Sequence, residues 1–145
     1  MKNKTIVIIY NASHSVLLFK VDLVEKIRTN GYKVVVLAPK DNYTEELIKV
    51  VDSYYEIKLD SSSVNPFKDS YLIFQIYNIC KRIKPSSILN FTIKPVIYGT
   101  FIGRLLGGVP VINTITGLGT AFLSSGFSNV VAKFLYRFTF KYSHL

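Results

Sequence analysis

Five alternations of strand and helix constrain this chain more than any other feature. "TIVIIY" at 5–10 is a continuous apolar run and reads as a strand buried on both faces. Residues 15–30 place Leu17, Leu18, Val21, Val24 and Ile27 at helical spacing, with Gly31 just past the end. "KVVVLA" at 33–38 is a second buried strand, closed by Pro39. Residues 43–52 form a short helix, with Asn42 or Thr44 as its cap and Glu45 and Glu46 in its first turn. "YYEIKL" at 54–59 alternates and reads as a third, less buried strand. After the polar loop "DSSSVNPF", residues 68–84 make a long amphipathic helix that ends in Lys81, Arg82 and Lys84. "SSILNF" at 86–91 is a fourth strand, 96–107 a helix, "VPVINTI" a fifth strand and 128–142 a last helix. Connections of this length make parallel strands with right-handed crossovers. The expected architecture is an α/β, doubly wound parallel sheet, as one domain over residues 1–145.

Composition agrees with a packed domain, since 49% of the residues are hydrophobic and the chain is long enough to bury a core. Cys80 is the single cysteine, so no internal disulfide forms and a reducing compartment is the simplest reading. Flanked by Ile76, Ile79 and Ile83, it reads as a small core residue. The apolar run after "MKNK" is too short for the core of a secretory signal and fits a first strand. No window of about 18 apolar residues is free of charge, so no membrane span is expected. The best candidate, 96–112, contains Arg104 and a Gly-Gly pair.

Charge is distributed unevenly. The formal net charge is +9, and all nine acids lie in the first 69 residues beside ten Lys or Arg. The remaining 76 residues hold eight bases and no acid. Such a field attracts an anion, whether nucleic acid, anionic membrane or phosphorylated substrate. It also means that the second half supplies no carboxylate catalyst.

In doubly wound sheets ligands bind outside the carboxyl ends of the strands. Three strand ends carry polar groups there. After the first strand, "NASHS" supplies Asn11, Ser13, His14 and Ser15 near a helix N-terminus, suited to a phosphate or sugar, or simply to capping. After the fourth, "NFTIKP" supplies Asn90, Thr92 and Lys94, with Pro95 opening a helix. After the fifth, Thr116, Gly117 and Gly119 offer a hydroxyl and a backbone that a ligand can approach, or a tight turn. Gly99, Gly103 and Gly107 recur every fourth residue, which lets that helix lie close to the sheet; a membrane packing motif is the other reading, and Arg104 argues against it. A phosphate-binding P-loop is missing, as is G-x-G-x-x-G after the first strand. No cluster of His, Cys and acids suits a metal.

Two motifs, "NFTIKPVIYG" (90–99) and "INTITGLG" (112–119), resemble the acceptor half of family 4 glycosyltransferases. More narrowly, they resemble bacterial enzymes that add a sugar to a lipid-linked oligosaccharide or capsule precursor. "LLFKVDLVEKI", "GYKVVVLAPKDNYTEEL" and "SSSVNPFKD" are similar to the same group, in order along the chain. The resemblance implies the GT-B arrangement of two Rossmann-like domains facing each other across a cleft. The first binds the acceptor; the second binds the nucleotide-sugar and carries E-x7-E. This chain resembles the first domain only, stopping at "KYSHL" where the family would begin another strand. The resemblance further implies a retaining, metal-independent transfer of a hexose or N-acetylhexosamine. No cofactor is implied, the nucleotide-sugar being the donor substrate of the whole enzyme. By the same resemblance the 11–15 loop and Thr116, Gly117 and Gly119 face the cleft and its phosphates, while Asn90, Thr92 and Lys94 line the acceptor side. Many relatives have a histidine after the fourth strand; here that loop is "FTIKP", so no catalytic residue is assigned.

In the last helix Val131, Phe134, Leu135 and Phe138 share one face, while Lys133, Arg137 and Lys141 follow at i, i+4 and i+8 with Tyr136 and Phe140 beside them. A solvated basic face is one reading; the surface of an anionic bilayer is the other. The expected partners are a donor-binding domain in cis or trans, a lipid-linked glycan acceptor and an anionic membrane, with the chain cytoplasmic and peripheral at the inner face of the plasma membrane. Charge alone suggests nucleic acid, and no recognition motif supports it. The alternative function is a non-catalytic basic module that binds anionic lipid or a partner chain.

Overall fold

The computed structural model describes residues 4–62 and 65–114, with Lys133, Arg137 and Lys141 beyond them. The elements run β1 (Thr5–Ile9), α1 (Ser13–Phe19), α2 (Val21–Thr29), β2 (Lys33–Ala38), α3 (Thr44–Val50), β3 (Ser53–Glu56), α4 (Pro66–Ile83), β4 (Ser87–Phe91), α5 (Ile93–Leu105) and β5 (Val111–Thr114). The strands form one sheet in the order β3-β2-β1-β4-β5. Every neighbouring pair is parallel, with Val7 opposite Val35 and Ile88, and Asn90 opposite Asn113.

Alternating side chains send the strands' apolar groups to both faces. On one face Val7, Ile9, Val35, Leu37, Ile88 and Val111 pack under Leu72, Ile76 and Cys80 of α4 and Ile102 of α5. On the other, Ile8, Tyr10, Val34, Val36 and Phe91 meet Val16 of α1, Val24 of α2 and Leu47 of α3. Helices on both faces of a parallel sheet make the doubly wound, Rossmann-like fold that the alternation predicts. Cys80 is buried, and burial pushes its thiol up to about 12.

Element boundaries depart from the sequence expectation where local contacts outweigh periodicity. The helix expected over 15–30 is two helices that break at Lys20 (φ −130°, ψ 6°). Each part is held separately. The start of α1 is tied to the segment after β2, where Ser13 Oγ donates to the Pro39 carbonyl at 2.8 Å and the His14 amide to Asp41 at 2.8 Å. α2 instead buries Val24 on the sheet and closes at Gly31, whose φ of +82° a side chain would oppose. At α3 neither Asn42 nor Thr44 caps the helix. Asp41 Oδ1 accepts from the Tyr43 amide at 2.9 Å, and Thr44 Oγ1 accepts from the Asp41 amide at 2.9 Å. α4 starts two residues early because Asn65 accepts from the amides of Phe67 and Lys68, with Pro66 in the first turn. α5 likewise starts at Ile93; Pro95 falls within the first turn, where amides lack intrahelical partners anyway.

Candidate functional site

The strand order reverses at β1. The chain builds β2 and β3 on one side of it and β4 and β5 on the other. The loops after β1 and β4 therefore diverge and leave a crevice at the carboxyl edge, the place where such sheets bind ligands. An aromatic pair, buried in the core, joins the carboxyl ends of β1 and β4. Tyr10 stacks on Phe91 with ring centroids 5.1 Å apart, and Lys20 Nζ lies 4.7 Å from the Phe91 centroid.

On the β4 side the structure engages the three expected acceptor residues in specific ways. Asn90 is fully buried and donates from Nδ2 to Asn113 Oδ1 at 2.9 Å; Asn113 in turn donates to Thr100 Oγ1 at 2.9 Å. Asn90 Oδ1 has no hydrogen-bond partner. It lies against the backbone of Gly99, where an added Cβ would overlap the Asn90 amide. A Cβ on Gly103 would overlap Val111 in the same way, so these two glycines set how closely α5 lies on β4 and β5. Lys94 Nζ meets Asp69 Oδ1 at 2.7 Å, with only 12% and 11% of the two side chains exposed. Tyr98 also bonds Asp69; burial, then the charge and hydrogen bond of that carboxylate, push its hydroxyl pKa up. Lys94 is thus spent on joining α5 to α4 rather than presenting a bare ammonium to the crevice. Thr92 occupies φ 70°, ψ 167°, a region almost reserved for glycine, and its buried hydroxyl is unpaired.

On the β1 side Ser13 is fully buried, and its hydroxyl is committed to the Pro39 carbonyl. Asn11 and Ser15 are half-buried. His14 is exposed at the rim, and its Nδ1 lies 3.1 Å from Asp41 Oδ2, the oxygen that also accepts the His14 amide. Partial burial raises the Asp41 pKa, but the amides of His14 and Tyr43, with the His14 ring, outweigh it and hold the carboxyl below its ordinary range. With Nδ1 against Asp41, Nε2 is the ring nitrogen through which His14 can meet a ligand, as donor or acceptor according to the tautomer. The sequence reading missed Asp41 as the orienting partner; an Asp two residues before Tyr43 in "KDNYTEE" is the signal for such a turn.

Thr116, Gly117, Gly119, Tyr136 and Phe140 lie outside the described residues. Lys133, Arg137 and Lys141 are helical and exposed. A concavity of about 450 Å³ opens at the ends of β2 and β3, between Lys40, Lys58, Lys68 and Tyr71. Among the described residues no three His, Cys, Asp or Glu side chains group to hold a metal, and no helix is long and apolar enough to cross a membrane.

Comparison with known proteins extends the geometry. Over 138 residues the chain is 22% identical to the N,N'-diacetylbacillosaminyl-diphospho-undecaprenol alpha-1,3-N-acetylgalactosaminyltransferase of Campylobacter jejuni, covering 92% of this chain and 37% of that protein. The crystal structure of Acinetobacter baumannii MurG superposes with a TM-score of 0.63 at 20% identity, over 91% of this chain and 39% of that one. A UDP-N-acetylglucosamine 2-epimerase superposes with a TM-score of 0.66 at 13% identity, over 100% of this chain and 40% of that one. Two such differently named proteins at similar scores mark a shared fold, not a shared reaction. The chain spans about two fifths of the length of these relatives. The family model described as "Glycosyl transferase 4-like" matches residues 6–145, so the chain belongs to that glycosyltransferase family.

Proposed function

We propose that this chain is the acceptor-binding half of a retaining glycosyltransferase. The whole enzyme moves a hexose or N-acetylhexosamine from a nucleotide-sugar to a lipid-linked or polysaccharide acceptor, as in capsule assembly. The observation that carries the reading is the crevice at the β1–β4 switch point, in a chain matched by the family over nearly all its length. The name of the Campylobacter relative, which specifies a diphospho-undecaprenol acceptor, supports a lipid-linked substrate. In this reading the 11–15 loop, His14 foremost, meets the acceptor or the phosphates, and Asn90, Thr92 and Lys94 shape the opposite wall. Thr116, Gly117 and Gly119 complete the phosphate side. Catalysis is positioning together with electrostatic stabilisation of the leaving diphosphate, and it needs a donor-binding partner in cis or trans. The half alone is inactive. The remaining basic field, including Lys133, Arg137 and Lys141 with Tyr136 and Phe140, draws the chain to an anionic membrane at the cytoplasmic face.

The test is a titration of the isotopically labelled chain with a short-chain polyprenyl diphosphate-linked N-acetylhexosamine, read by amide NMR. Saturable shifts should centre on 11–15 and 92–94, and UDP-N-acetylhexosamine should leave 92–94 unshifted. Shifts produced by the nucleotide-sugar alone, or none with either compound, would sink the reading.

A further inference from the structure

The concavity of about 450 Å³ at the ends of β2 and β3 lies one to two strand positions from the β1–β4 crevice, about 5–10 Å across the sheet. Three separate pieces of chain build it, and each is fixed by its own hydrogen bonds. The end of β2 holds the segment around and after β3, because the Ala38 carbonyl accepts from the Ile57 amide at 3.2 Å and from the Tyr54 hydroxyl at 2.8 Å. That segment is held in turn to α4, where Gln75 Oε1 accepts from the Lys58 amide at 2.9 Å. α4 is capped by Asn65, which fixes the direction of its first turns. Walls held in this way need little ordering when a ligand binds.

The lining is chemically mixed. Pro39, Ile57 and Leu59 supply apolar surface, and Tyr71, 54% exposed, adds an aromatic ring. The charged groups come in pairs. Lys58 Nζ lies 2.6 Å from Glu56 Oε1, and Lys68 Nζ lies 4.0 Å from Asp60 Oδ2. The Lys58 hydrogen bond and charge, with a smaller effect of Lys40, hold the Glu56 carboxyl below its ordinary range. Glu56 is therefore an acceptor at neutral pH, with an ammonium donor beside it.

Each class of ligand meets this arrangement differently. An anion would have to draw Lys58 away from Glu56 and would face two carboxylates, so the lysines here do not make a phosphate site. A cation meets the opposite obstacle in three ammonium groups. A wholly apolar ligand would strip water from the charged groups and replace none of it. A pyranose matches the lining on both counts. It has a face of C–H groups for the Tyr71 ring, and an edge of hydroxyls that donate to carboxylates and accept from ammoniums. The volume lies in the lower part of the roughly 300–1,000 Å³ range of small-molecule sites, which suits one or two sugar rings rather than a folded partner.

We propose that this concavity is a second ligand site, which binds a neutral oligosaccharide with one pyranose ring stacked on Tyr71 and its hydroxyls on Glu56, Lys58 and Asp60. The site lies outside the crevice and does not rest on the transferase reading, since free sugars without any lipid test it directly. The two places share a wall, the three residues that follow β2. The Pro39 carbonyl accepts from Ser13, Lys40 lines the concavity, and Asp41 holds the His14 amide and ring. A sugar seated against Lys40 therefore lies on the same loop that orients His14.

The experiment is amide NMR of the full chain titrated with three soluble neutral trisaccharides, built of glucose, galactose and N-acetylglucosamine. At least one should give saturable shifts centred on 39–41 and 56–60, with a Kd of about 1–10 mM. Tyr71→Ala removes the stacking ring and should weaken that binding about fivefold or more. Glu56→Gln keeps the shape but loses the charged acceptor, and should weaken it about threefold or more. Circular dichroism and a thermal melt check that the variants fold; should Tyr71→Ala not fold, Glu56→Gln carries the test alone. Four results would overturn the proposal. One is silence from all three trisaccharides. Another is binding unchanged in both variants. A third is shifts at 11–15 and 92–94 without any at 56–60, which would assign the sugar to the crevice. The fourth is inorganic phosphate shifting 39–41 and 56–60 at lower concentration than any sugar, which would make the concavity an anion site. The crevice reading is decided separately, by the polyprenyl-linked sugar at 92–94, so either can fail without the other.

Discussion

Lys94 is where a functional and a structural assignment compete, and the Lys94–Asp69 pair gives a magnitude that separates them. The pair is short, at 2.7 Å, and nearly enclosed. Lys94→Met removes the ammonium but leaves the Asp69 carboxylate in place, with the Tyr98 hydroxyl as a remaining donor. Stranding one partner of a buried pair costs 3–5 kcal/mol, and the retained Tyr98 bond puts this site at the low end, about 3 kcal/mol. For a domain of this size that is a fall in Tm of roughly 6–12 °C. Asp69→Asn strands the ammonium instead and should cost a similar amount. The double variant should lose less than Lys94→Met alone, about 1 kcal/mol, because removing both charges removes both desolvation penalties and the Asn still accepts from Tyr98. The assay is urea or thermal unfolding of the four proteins, run at low and moderate salt, since a buried pair is screened little. Two single losses that simply add in the double variant would refute the coupling. A Lys94→Met protein of wild-type stability that no longer binds the acceptor would refute the structural assignment and return Lys94 to the crevice as a ligand-contacting residue.

Gly99→Ala drives a methyl into the Asn90 amide and should destabilise the fold by about 2 kcal/mol or more, measured by urea unfolding; adding Asn90→Ala should recover part of the loss by making room. Thr92→Gly should leave stability unchanged or raise it by up to about 1 kcal/mol, because glycine relieves the backbone at φ 70° at some cost in chain entropy; a clear loss would show that the hydroxyl has a partner. Asp41 has its pKa lowered in the folded state, so its contribution is full above the unfolded value of 3.8 and fades as pH falls through the folded one. The stability gap between wild type and Asp41→Asn should accordingly be largest near neutral pH and close on acidification, and a gap that widens in acid would contradict the sign.

What the sequence made legible follows from what a residue type determines by itself. Apolar runs at 5–10 and 33–38 cannot be solvated, so they are strands or buried helices, and their shortness and β-branching settle the choice. The spacing of Gly99, Gly103 and Gly107 announced a helix lying close to the sheet; the overlaps of the first two at Asn90 and Val111 are that approach, whereas Gly107 falls past the end of α5, at φ +88° with nothing near it. The break at Lys20 was not legible, since residues on either side keep one apolar spacing and only their separate tethers distinguish them. The early start of α4 was written in "NPF", an Asn cap followed by Pro, but a polar loop composition masked it.

The candidate site shows a deeper limit. Polar residues at the end of a buried strand mark a place where apolar packing stops, and that holds whether they bind a ligand or one another. Asn90, Thr92 and Lys94 were found by that signal, yet their partners, Asn113 and Asp69, sit 23 and 25 residues away on other elements. Partnership is a property of the tertiary fold, so sequence could name the polar wall without saying which groups were already satisfied. The unsatisfied remainder therefore has more diagnostic value than the list of polar residues. On the β4 side it is Asn90 Oδ1 and the Thr92 hydroxyl; on the β1 side His14 is exposed, and its ring edge away from Asp41 is satisfied by water that a ligand can replace. Asn90 Oδ1 is sealed beneath Gly99, and the Thr92 hydroxyl is buried where it stands. His14 thus offers a ligand a polar edge without first moving a helix, which makes it the residue whose substitution should separate binding from folding most cleanly.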